Sequence, residues 1–113
     1  MTPVYSTQFL SLAGLAGGLL PYYFVPPERV AVVKSVVITI GINLVPCWAA
    51  VKQTSTGQIL AAIGFGVSDI PTHDKQCYTF WLHQVLEAGD GLSCEANNCA
   101  VDISAGGYLL VAP

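Results

Sequence analysis

From Val36 to Leu44 the chain alternates strictly. Val36, Ile38, Ile40, Ile42 and Leu44 are large and apolar, while Val37, Thr39, Gly41 and Asn43 fall between them. Wound as a helix, these residues would scatter around every face. Extended, they separate into one dry and one wet side, and their β-branched content suits a pleated surface. The run therefore predicts a long core strand, although "YYFVPPERVAVVKSVVITIGINLV" (22–45) has the hydropathy of a membrane span.

Similar runs recur along the chain. "CWAAVKQ" (47–53) and "QILAAIGFG" (58–66) flank "TSTG", where Gly57 suits a tight turn, and they predict a hairpin. "SDIPTHDK" (68–75) reads as a polar loop, "CYTFWLHQVL" (77–86) as an aromatic-rich strand and "EAGDG" (87–91) as a turn. "LSCEANNCAVDIS" (92–104) reads as a second hairpin around Asn97 and Asn98, and "GGYLLVAP" as a closing strand. No amphipathic helix emerges. About eight short strands at roughly ten-residue spacing predict an all-β fold, an antiparallel β-sandwich or jelly-roll-like barrel. The chain reads as one domain, with 1–20 an apolar N-terminal arm or first strand and 21–113 the sandwich.

The apolar "FLSLAGLAGGLLPYYFV" fails as a span or signal core. No Lys or Arg precedes it, Gly14, Gly17, Gly18 and Pro21 interrupt it, and its length barely reaches what hydrocarbon requires. No membrane span is expected.

Composition adds one constraint. Only 10% of the 113 residues are charged and 53% are hydrophobic, against about 25% charged in an average soluble domain. So little charge leaves apolar surface that neighbours must cover. The four cations, Arg29, Lys34, Lys52 and Lys75, are scattered through a chain of net charge −3, so no nucleic-acid partner is expected. Asp69, Asp74, Glu87, Asp90, Glu95 and Asp102 read as solvated loop charges.

The search for chemistry yields no convincing set. Cys47, Cys77, Cys94 and Cys99 read first as buried thiols, with a Cys94–Cys99 bridge across "EANN" as the sharper alternative. His73 with Cys77, Cys94 and Cys99 lacks zinc-site spacing, and "HDKQC" lacks the surroundings of a thiol enzyme. His83 alternates with Trp81 on one side of its strand, the position of a surface or interface group. The glycine pairs in "AGGLL" and "AGGYLL" fit no phosphate loop, and "EAGDG" is too short for a calcium loop. No catalytic residue, cofactor or metal is expected. Trp48, Trp81 and the tyrosines Tyr5, Tyr22, Tyr23, Tyr78 and Tyr108 belong either to the core and subunit contacts or to a carbohydrate-binding face.

Two motifs carry a family resemblance. Tyr23, Val25, Pro26, Val30, Val32, Val33 and Lys34 form the first; Val85, Leu86, Gly89, Asp90, Leu92, Ser104, Gly107 and Tyr108 form the second. Together they resemble small β-sandwich virion proteins of tailed bacteriophages, of the head decoration, minor capsid or minor tail type. Here Pro27 and Glu28 stand where those proteins have Ala-Gly, and Gly106 and Gly107 double a single glycine. The resemblance implies a non-enzymatic virion component, most often a capsid decoration protein, with a glycan- or receptor-binding tail protein as the alternative. Implied partners are major capsid or tail proteins and further copies in a trimer or other cyclic oligomer. Interface candidates are Phe9, Leu10, Leu12, Leu15, Leu19 and Leu20 on the arm, with Trp48 and Trp81. The six arm residues would equally complete the protein's own first strand and core.

Overall fold

The computed structural model describes residues 4–65 and 77–111, with side chains described for all of these except 4–6, 41–47, 65 and 98–99. The described residues form five strands and no helix: β1 (Val4–Phe24), β2 (Arg29–Gln53), β3 (Ile59–Phe65), β4 (Cys77–Leu86) and β5 (Gly91–Val111). All pairings are antiparallel. β5 lies between β1 and β2, and the far side of β2 is shared, with Ala31–Thr39 taking β4 and Cys47–Lys52 taking β3.

β1, β2 and β5 are too long to be straight. Phe9 and Tyr23 both lie on β1, and a straight strand would hold them about 46 Å apart. Their ring centroids are 5.0 Å apart, so β1 doubles back on itself. The bend falls where the register with β5 slips between Leu12 and Gly17. Gly14 takes a φ of 66° there, and its amide donates to Asp102 Oδ1 at 2.8 Å. The register of β2 with β5 slips at the same level, between Ile40 and Trp48.

The folded sheet makes two facing layers. One holds the first part of β1, the last part of β5, the first part of β2, and β4; the other holds the remaining parts of β1, β5 and β2, and β3. Gln84, on β4 in the first layer, donates to Gln53 of the second at 3.3 Å. Three bent strands contribute two segments each and two contribute one, so eight short segments wrap as a jelly roll. The all-β sandwich expected from the pattern is present, carried by five continuous elements among the described residues.

The core follows the alternation. Val36, Ile38 and Ile40 are fully buried beside Ala105, Ile103 and Val101 on β5, while Val37 and Thr39 face outward; Ile42 and Leu44 lie outside the described side chains. Ala49, Val51, Leu92, Cys94 and Ala96 continue the core in the second layer. Lys34 sits where the register of β2 slips against both β4 and β5, a bulge that turns its ammonium outward without breaking the dry face.

Loops at one end of the sandwich are tied together. Pro26 O accepts from Arg29 N at 3.3 Å, and Glu28 has a φ of 62°, the geometry of a type II turn with Pro27 second and Glu28 third. Val25 N donates to Asp90 O at 2.8 Å, and Gly89 N donates to Val25 O at 3.0 Å. The Asp90 carboxylate accepts from Gln53 Nε2 (2.5 Å), Ser55 N (2.9 Å), Ser55 Oγ (2.8 Å) and Gly91 N (2.8 Å). Partial burial pushes its pKa up, but the bonds from Gln53, Gly91 and Ser55 outweigh this and leave it below the ordinary Asp value. Gly91 is required next to it, because a Cβ there would run into the Tyr23 carbonyl oxygen.

Two expectations change. Residues 92–104 contain no hairpin: β5 runs through them, so Cys94 and Cys99 lie along one extended strand and do not face each other across a turn. Glu95 and Asp102 are not loop charges, for both stand on β5; Glu95 is only 8% exposed and pairs with Lys52 at 2.5 Å. Of the two readings of the N-terminal segment, arm or first strand, residues 4–20 take the second, as part of β1. The loop at 68–75, with His73 and Asp74, lies outside the described residues.

Candidate assembly surface

Among the described residues β4 pairs with β2 alone, an edge strand with two unlike sides. Tyr78, Phe80, Leu82, Gln84 and Leu86 turn toward the core, and Cys77, Thr79, Trp81, His83 and Val85 turn outward. Trp81 is the most exposed large apolar residue of the described set at 81%. Val85 lies opposite Val32, which lies opposite Tyr108, so apolar side chains also cross three strands on this face, beyond His83 from the indole. His83 shares the outward side with Trp81, and its Nδ1 meets Lys34 Nζ at 3.1 Å. The bulge at Lys34 creates that contact.

The second apolar surface lies on β1, whose only pairing among the described residues is with β5. Past the bend, Leu20 (57%) and Phe24 (54%) are exposed, with Leu19 and Tyr22 beside them. The structure divides the eight interface candidates. Phe9 and Leu10 are core residues, Phe9 at the bulge where β1 slips against β5. Leu12 and Leu15 are half-buried against the core, and Leu19, Leu20, Trp48 and Trp81 reach the surface. Both exposed strips adjoin outer sheet edges, whose unpaired backbone groups template further strands.

The thiols are separated. Cys77 is exposed at the start of β4, 3.5 Å from the Thr39 hydroxyl that donates to it. Cys94 lies opposite Val51 inside the second layer, and burial pushes its thiol up to about 12. A thiol held that far from ionising is chemically inert at neutral pH. Among the described residues no three His, Cys, Asp or Glu side chains gather as a metal site would require. No described helix is long and apolar enough to cross a membrane.

Sequence reasoning missed Glu95. Trp48 and Ala50 lie opposite Asn97 and Glu95, which places Trp48, Asn97 and Glu95 together on the outer face of the second layer. The signal was present in "CEAN", where Cys94 and Ala96 point in and Glu95 and Asn97 point out, the same period that marked Val36 to Leu44.

No protein-family model matches the chain, and no curated protein matches it. A solved structure does: a chain from the work "Bacillus endospore appendages form a novel family of disulfide-linked pili" superposes with a TM-score of 0.53 at 8% identity. The match covers 100% of this chain and 92% of that one. At that identity the likeness is one of fold.

Proposed function

We propose that this chain is a non-enzymatic structural subunit that assembles with copies of itself into a repeated protein array. The observation that carries the reading is Trp81, 81% exposed on a strand that pairs on one side alone among the described residues, with the Val85–Val32–Tyr108 row further along the same face. Covering about 200 Å² of indole contributes about 5 kcal/mol at 25 cal/mol per Å². Association costs a comparable or larger amount, so one such residue does not hold a dimer. Adding the Leu20 and Phe24 strip of β1 gives each copy two separate apolar surfaces, which is what a ring or lattice needs.

The finer reading is a tailed-phage virion component, most often a capsid decoration protein, meeting major capsid or tail proteins and its own copies in a trimer or other cyclic array. The residues shared with such proteins support it, and Gly89, Asp90 and Gly107 are among them. A surface appendage is the second reading, favoured by the fold shared with a chain of disulfide-linked pili and by the exposed thiol of Cys77 at a sheet edge. Sedimentation velocity and negative-stain microscopy of the purified chain test the common ground. Oligomers that Trp81→Ser or Leu20→Ser with Phe24→Ser returns to monomers are expected, with closed rings favouring the virion reading and fibres the appendage. A monomer at every concentration, with no affinity for added capsid or tail shells, would refute assembly.

A further inference from the structure

We infer that the outer face of the second layer carries a binding site for a single sugar ring, built from Trp48, Glu95 and Asn97. These residues line a cleft of about 240 Å³ whose remaining wall is Gly17, Gly18 and Ala96. The cleft is small for a drug-sized ligand and suited to one ring.

Each part of the cleft has a chemical consequence. Trp48, 39% exposed, presents an aromatic plane of the kind that packs against the C–H face of a pyranose. Glu95 is a carboxylate with a side chain only 11% exposed, and its buried Oε1 is held by the Lys52 ammonium at 2.5 Å, which fixes the orientation of the group. A buried carboxylate of fixed orientation accepts charge-assisted hydrogen bonds from hydroxyl groups, and the Asn97 carboxamide adds both a donor and an acceptor. The backbone register fixes the spacing, because Trp48 is opposite Asn97 and Glu95 follows two residues away on the same face. Across the cleft, β1 contributes two consecutive glycines. Gly18 has nothing within 4 Å of where a Cβ would stand and needs no left-handed backbone, so the fold does not demand a glycine there. Its missing side chain leaves the cleft open.

A cationic ligand fits less well. Lys52 already neutralises Glu95, and an ammonium entering beside it would face a like charge.

The site stands whether or not copies assemble, and its test reads binding alone. Saturation-transfer NMR and calorimetry on the full chain, with free hexoses, 6-deoxyhexoses and N-acetylhexosamines as probes, should find at least one that binds. Trp48→Ala and Asn97→Ala should each weaken that sugar by about tenfold or more. Gly18→Val should abolish binding while preserving the β-type circular dichroism and the melting temperature, because the position is open. Trp81→Ala should bind as the unaltered chain does. Failure of every probe to bind at millimolar concentration would overturn the inference, as would Gly18→Val binding with unchanged affinity.

Discussion

Replacing Asp90 by Ala tests how the end of the sandwich is held. Four donors converge on its carboxylate, from Gln53, twice from Ser55, and from the Gly91 amide. A hydrogen bond is worth about 0.5–1.5 kcal/mol net, and more to a charged group, but Ser55 is exposed and water will replace part of what it loses. We therefore expect a loss of about 2 kcal/mol. Unfolding entropy near the midpoint is about 2.1 cal/mol/K per residue, or about 0.24 kcal/mol/K for this chain, so Tm should fall by about 8 °C. The sign of the pH dependence follows from the lowered pKa. A carboxylate more acidic in the folded chain stabilises it above the unfolded pKa, and that contribution disappears as pH falls through the folded value. Urea unfolding between pH 7 and pH 2 should show the unaltered chain losing stability below about pH 4, the ordinary Asp range, with Asp90→Ala losing less over the same interval. Asp90→Asn should fall between the two at neutral pH, since it keeps one acceptor oxygen and loses the charge. An Asp90→Ala chain within about 0.5 kcal/mol of the parent would refute the reasoning.

Further predictions rest on single contacts. Glu28→Gly should raise stability by about 0.5–1 kcal/mol in denaturant titration, because Glu28 bears a left-handed backbone that costs about 1–2 kcal/mol and glycine returns only part of this as lost entropy. Gly107→Ala should leave the chain unable to fold, seen as loss of β circular dichroism, because its Cβ would run into the Val32 carbonyl oxygen on a paired strand. Alkylation of the native protein followed by peptide mapping should label Cys77 and spare Cys94 until denaturant is added.

Much of the fold was legible because its alternation is local. The period of Val36 to Ile40, the turn at Gly57 and the outward pairing of Trp81 with His83 needed no knowledge of the rest of the chain. The supposed hairpin at Asn97 and Asn98 failed because polarity was read as a turn, where a strand with a wet outer face produces the same letters. For the arm, composition was silent. Phe9 and Leu20 are both large, apolar and uncharged in context, and only the doubling back of β1 at Gly14 puts one against Tyr23 and leaves the other in solvent.

Side-chain period and composition are local properties, and they suffice for an all-β chain with too little charge to cover its own surface. Tertiary structure decided where that apolar excess goes. Burial depends on which strands meet, and the register of β2 against β5, slipping between Ile40 and Trp48, joins residues from Arg29 and Val111 to Gln53 and Leu92, far apart in the chain. That register brings Trp48, Glu95 and Asn97 to one face, and the pairing of β4 to one side of β2 leaves Trp81 on an open edge.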